Sequence, residues 1–115
     1  MTCFTGFFHH PQVATLDESL VRRSGGGAVA AWGSTGLGVA TGHSSLHQGF
    51  TAAVRAGQGG AKLGAGALAG KLRVWATGAD LGLLDTFTLF GDPALTVRFN
   101  DAPTSKFVFL PIMRK

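Results

Sequence analysis

The chain has 115 residues, room for one domain of ordinary size. Hydrophobic residues make up 45% of it, which argues against disorder, yet charged residues reach only 14%, well under the roughly 25% of an average soluble protein. Eighteen residues are glycine, about twice the usual share, so the composition predicts Gly-rich loops between buried elements and a fragment of a larger α/β domain.

Single features exclude further classes. Cys3 is the one cysteine, which rules out a disulfide framework and any multi-cysteine zinc site. The longest apolar runs, such as Phe107–Met113, fall far short of the ~18 residues of a membrane span. No basic stretch followed by an apolar one opens the chain, so no signal peptide is visible. The net charge is +4, but the basic residues are scattered rather than clustered with stacking aromatics. No nucleic-acid partner is expected on that pattern.

Residues 1–8 are apolar and read as the end of a buried strand running into a loop. His9, His10 and Pro11 continue that loop. Thr15 with Glu18 forms a capping box that opens a short helix, with Asp17 and Glu18 in its first turn and Arg22 and Arg23 in its last. Gly25 to Gly27 stop it. Residues 27–33 are a short apolar run, read as a fully buried strand. A long Gly-rich loop follows from Ser34 to His43. Ser45 with Gln48 is a second capping box, predicting a helix to about Ala56 with Leu46, Phe50, Ala53 and Val54 on one side.

Lys62 to Trp75 reads as a third helix, with Leu63, Leu68, Leu72 and Trp75 on a shared face. Gly64, Gly66 and Gly70 weaken it by up to ~1 kcal/mol each where exposed, and permit close packing. Asp80 to Asp85 is a connector, and Asp85 is placed to cap a short segment, Thr86–Phe90. Gly91-Asp92-Pro93 is a turn, and Ala94–Phe99 alternates as a last strand. Asn100 to Ser105 is a polar linker, and Lys106–Lys115 is an apolar tail with a basic end. Strands alternating with helices predict an α/β sheet covered by helices.

Cys3 lies at the carboxyl end of the first expected strand, where sites form in open α/β sheets. A thiol there can be activated by a histidine and by backbone N–H groups. The competing reading is a buried, inert thiol. His9 and His10 are close enough in sequence for a tight turn to return one to Cys3, although Cys–His pairs usually come from separate elements. His43 and His47 have the spacing of stacked helical ligands but lack a third ligand, so no metal is expected. Gly36 to Gly42 departs from the dinucleotide pattern in its third glycine, and Gly70-Lys71 lacks the flanking residues of a phosphate loop. No cofactor is expected.

Three stretches together carry a resemblance. They are Met1-Thr-Cys-Phe-Thr-Gly-Phe-Phe, Gly27-Ala-Val-Ala-Ala-Trp-Gly-Ser-Thr, and Leu83-Leu-Asp-Thr-Phe-Thr-Leu-Phe-Gly-Asp-Pro-Ala-Leu-Thr-Val. In that order and spacing they resemble the C-terminal half of the gingipain-type cysteine peptidase domain. The resemblance covers about residues 1–99; the linker and tail, 100–115, lie outside it.

The resemblance implies a caspase-like three-layer α/β sandwich with a mainly parallel sheet. It implies that Cys3 is the nucleophile and that its backbone N–H is one half of the oxyanion hole. Trp32, Gly33, Ser34 and Thr35 would line the pocket for the residue before the scissile bond. It further implies a peptide or protein substrate and an extracellular or cell-surface location. In that family the histidine base, the carboxylate that orients it and the glycine giving the second oxyanion N–H all precede the nucleophile. Only two residues precede Cys3 here, so the expected partner is a missing N-terminal half, and the chain alone is expected to be inactive. The edge left by cutting a parallel sheet predicts poor folding of the chain alone. The aromatic residue that some gingipains place in the pocket loop has no counterpart between Gly36 and Gly42, so an Arg or Lys preference does not carry over. The alternative is a non-catalytic structural or binding module built on the same fold.

Overall fold

A computed structural model describes residues 3–57 and 60–98. The expected first strand is a turn over Cys3–Gly6 where it is described, and its first two residues lie outside the described residues. Phe99, the end of the expected last strand, and the linker and tail, 100–115, lie outside them too.

Helix α1 spans Leu16–Arg22. Its capping box forms as the sequence predicts: Glu18 N–H donates to the Thr15 hydroxyl and Thr15 N–H donates to the Glu18 carboxylate. Strand β1, Ala31–Ser34, begins four residues later than expected and is buried only at Gly33 and Ser34. Left-handed backbone at Gly25, Gly26 and Gly27 extends the preceding turn and delays it.

Helix α2 spans Ala40–Ala56, starting five residues before the expected cap at Ser45. Gln48 turns back to the Ser44 hydroxyl instead of capping. The real start is fixed from outside the helix, where Val39 N–H donates to Asp80 Oδ2 at 2.9 Å. That carboxylate meets the positive end of the helix dipole. Leu46 and Val54 are buried as expected, with Phe50 and Ala53 half-buried beside them.

A two-residue strand β2, Ala61–Lys62, leads into helix α3, Leu63–Thr77. The apolar face expected of α3 is corrected. Leu63 is buried, but Leu68, Leu72 and Trp75 are exposed, and the buried face is Leu63, Gly66, Ala67, Gly70 and Val74. Small residues win that face because α2 passes too close for large ones: a Cβ on Gly49 would stand 2.9 Å from Gly70 Cα. Gly78 ends α3 in the left-handed conformation, φ 63°.

A single helical turn α4, Leu83–Thr86, takes Asp85 into itself and runs directly into strand β3, Phe87–Phe90. The last strand, β4, is limited to Thr96–Val97. Strand β3 pairs with β1 in the register Ala31↔Phe90 to Ser34↔Phe87, and β4 pairs with β2, Ala61↔Val97. The chain is thus α/β, but both ladders are two-stranded and antiparallel, and no parallel pair occurs among the described residues. The core is Leu46, Val74, Leu83 and Phe87, with Trp32 and Leu84 packed on it. No helix of the described residues is long and apolar enough to cross a membrane.

Candidate active site

Cys3 is half-buried and free. Its thiol donates to the Gly38 carbonyl at 3.8 Å, a long contact of the kind sulfur makes. Gly38 belongs to the loop between β1 and α2, so the thiol lies beside the loop that leaves β1. Two backbone bonds hold the thiol-bearing turn in place. Gly6 N–H donates to the Ser34 carbonyl at 3.0 Å, and Asp17 N–H donates to the Thr5 carbonyl at 3.0 Å. The turn therefore runs between the end of β1 and the start of α1. Phe4, directly after the thiol, has φ 63° and is the non-glycine residue found in left-handed backbone among the described residues. Aromatic packing anchors the rest of the turn: Phe7 lies against Phe4 and His9, and Phe8 against Phe90 of β3.

The four residues expected to line a pocket are placed close to Cys3 in the chain path but turn mostly inward. The Trp32 ring enters the core, 4.9 Å from Phe50 and 5.4 Å from Phe87 between ring centres, with its Nε1 buried and unpartnered. Gly33 is buried under Asp17. Ser34 is fully buried, its hydroxyl donating to the Gly36 carbonyl at 2.8 Å and accepting from Gly36 N–H at 3.2 Å. Thr35 commits both its N–H and its hydroxyl to the Thr86 carbonyl, at 2.8 and 2.9 Å. What these residues leave free is the next stretch of the loop. Leu37 and Val39 are exposed there, at 74% and 56%, with Gly38 between them at the thiol.

None of the histidines hydrogen-bonds the thiol among the described residues. His9 packs at a tilt against Phe7, and His10 Nδ1 accepts from Gln12 N–H at 3.3 Å. His43 is buried, edge-on to Phe87, with Nε2 unpartnered. A Cβ on Gly38 would come within 2.5 Å of that Nε2, so Gly38 touches His43 on one side and Cys3 on the other. A shallow groove of about 360 Å³ lies along Ala40, His43, Ser44 and His47. Among the described residues no group of three or more His, Cys, Asp or Glu could hold a metal ion.

Asp17 is 6% exposed, and burial pushes its carboxyl above the ordinary range, with the Thr5 hydroxyl drawing it partly back. Glu18 moves the other way, held low by the Thr15 backbone and hydroxyl. Sequence reasoning passed over Gly38, Phe4 and Asp17 as parts of the site. A carboxylate in a first helical turn reads as a partner of the helix dipole, and nothing local marks its burial.

The half-buried thiol thus lies beside the loop leaving β1 in an α/β fold. The model of peptidase family C25 matches residues 1–98, and the chain belongs to that family, the gingipain family of cysteine peptidases. No curated protein and no solved structure matches it. Membership of a peptidase family implies peptide or protein substrates.

Proposed function

We propose that the chain is the nucleophile-bearing part of a cysteine-type endopeptidase. The observation that carries this is the coincidence of the family match with the position of Cys3, beside the one exposed stretch of the loop leaving β1. The Cys3 thiolate attacks the peptide carbonyl carbon, the C–N bond breaks as the amine leaves with a proton, and water hydrolyses the thioester to regenerate the thiol. The Cys3 backbone N–H serves as one oxyanion donor, a contribution of about 2.7–4 kcal/mol in such sites. Leu37 and Val39 offer an apolar wall to the substrate residue before the scissile bond. The inward set of Trp32, Gly33, Ser34 and Thr35 fixes that loop and contributes backbone to the pocket. No cofactor takes part.

The histidine base and the second oxyanion donor come from an N-terminal half of the domain, which completes a caspase-like three-layer sandwich and its mainly parallel sheet. The 115-residue chain alone is therefore inactive. The assembled protein acts outside the cell or at its surface, as expected of its family. A second reading, a non-catalytic module of the same fold, draws support from the thiol's contact. The thiol donates to a backbone carbonyl, and no histidine reaches it among the described residues.

The test is capture of Cys3 by a peptidyl chloromethyl ketone at alkaline pH, where free thiols ionise without help. Saturable kinetics that depend on the peptide portion support the peptidase reading. Capture no faster than that of glutathione, and not saturable, refutes it and leaves the module reading. Turnover of a peptide substrate by the purified chain, lost in Cys3→Ala, refutes the upstream base and requires one within residues 1–115.

A further inference from the structure

Left-handed backbone at Phe4 strains a side chain of that size and persists only where neighbours over-determine it. The ties of the turn are few. Phe7 N–H reaches the Phe4 carbonyl at a long 3.4 Å, Gly6 N–H is bound to Ser34, and the Thr5 carbonyl is bound to Asp17 N–H. Further restraints are the Phe7 ring, edge-on to Phe4, and the Asp17 side chain. The Asp17 side chain fills a gap that exists because Gly33 and Gly6 have no side chains. A Cβ on Gly33 would land on Asp17 Oδ2, and one on Gly6 would lie 3.1 Å from it. Oδ2 is buried without a hydrogen-bond partner, beside the Thr5 hydroxyl.

We infer that Asp17 is a positioning residue for Cys3: its carboxyl, wedged between the turn and β1, holds Thr5 and Gly6 against the strand, keeps Phe4 left-handed and so sets the thiol at Gly38. The inference rests on Cys3 as the nucleophile. The pocket around the carboxyl is almost free of charge. Strands β1 (Ala31–Ser34) and β3 (Phe87–Phe90) contain no titratable residue, the turn contributes Cys3 with His9 and His10 further along it, and α1 contributes Glu18 and Arg22. A carboxylate formed there meets no facing cation among the described residues, so the wedge is tightest while Asp17 is protonated and loosens as pH rises.

The test compares the full chain with Asp17→Ala, Asp17→Asn and the double variant Asp17→Ala/Phe4→Gly. Two rates are read, alkylation of Cys3 by iodoacetamide and its capture by a peptidyl chloromethyl ketone, each normalised to glutathione at the same pH. Asp17→Ala is expected to free the thiol from Gly38, raising the iodoacetamide rate and lowering peptidyl capture, each by roughly tenfold. Asp17→Asn, which keeps the shape without the charge, is expected to match the wild type at acidic pH. Adding Phe4→Gly to Asp17→Ala is expected to recover most of the loss, because glycine holds φ 63° without strain. Unchanged rates in Asp17→Ala, or no recovery with Phe4→Gly, overturn the inference. If Asp17→Ala does not fold, the pH arm decides. A wild-type iodoacetamide rate that climbs relative to Asp17→Asn with rising pH supports the wedge, and a constant ratio overturns it. A wild-type chain that reacts with iodoacetamide but shows no saturable peptidyl capture removes the peptidase reading alone, since the iodoacetamide arm still judges Asp17.

Discussion

Gly70→Ala sets two known effects against each other. Alanine in a helix interior is favoured over glycine by about 0.8–1.0 kcal/mol, so propensity alone predicts a more stable α3. The space at Gly70 predicts the reverse. A Cβ there would stand 2.6 Å from Trp32 Cη2 and 2.7 Å from the Leu46 carbonyl oxygen. The carbonyl is α2 backbone and moves only with the helix. The indole is flanked by Phe50 and Phe87 and has little room to turn. Overpacking of this kind costs about 1–3 kcal/mol, and with a backbone obstacle the upper part of that range applies. The net expectation is a loss of about 1–2 kcal/mol after the propensity gain. The assay is the urea midpoint of the helical circular dichroism signal. With a slope of about 1–2 kcal/mol per molar for a chain of this size, the midpoint falls by roughly 1 M. A midpoint that holds or rises would refute the close crossing of α2 and α3.

Gly82→Ala is expected to act in the opposite direction, since Gly82 has right-handed helical backbone and a Cβ would meet only Asp80 Oδ1 at 3.3 Å; stability should rise by about 0.4–1 kcal/mol, read as a higher urea midpoint. Asp80→Ala removes the acceptor that holds Val39 N–H at the start of α2, a loss of about 0.5–2 kcal/mol on the scale of an N-cap, and amide exchange at Val39 and the first turn of α2 should quicken. Stability should also depend on pH through Asp17. Its carboxyl is raised by burial, so its contribution is complete below the unfolded-state value and is lost as pH rises through the higher folded value. Asp17→Asn should flatten that part of the urea-midpoint profile, and a profile shared by both proteins would count against the burial of the charge. Glu18, shifted down, contributes in the opposite sense, with stability lost as pH falls.

Local chemistry was readable from the residues, and long-range contact was not. The Thr15–Glu18 box forms as expected because both partners lie within one turn and need no other element. The Ser45–Gln48 box has the same local form but loses to Asp80, which reaches Val39 from 41 residues further along the chain and starts α2 early. The buried face of α3 departs from the apolar pattern for a similar reason. Leu68, Leu72 and Trp75 are the large apolar residues, but the face is chosen by how closely α2 passes, and only Gly66, Ala67 and Gly70 fit there. The order of elements implies an α/β sheet but not which strands pair; the pairing of β1 with β3 depends on the single turn α4 feeding straight into β3. Cys3 was picked out by its position in the chain. The residues that place its thiol, Phe4, Asp17 and Gly38, come from three segments that only the fold joins.

The glycine content also reads differently once the segments are joined. Composition suggests loops, and some glycines serve turns, but others sit at points of closest approach, inside elements or in the loop beside the thiol. Gly33 is in β1 and makes room for Asp17; Gly38 lies between the thiol and His43; Gly70 is in α3 and makes room for Trp32. Each absent side chain lets a polar or aromatic group approach the backbone that supports Cys3 or the core beneath it. Such a site is sensitive to single methyl groups, because a Cβ at any of the three positions has no void to enter. The low charge of the chain follows from the same packing, since close backbone approach leaves little place for long charged side chains except at the rim. The thiol is therefore set by shape, through strained backbone and filled gaps, rather than by a charged partner among the described residues.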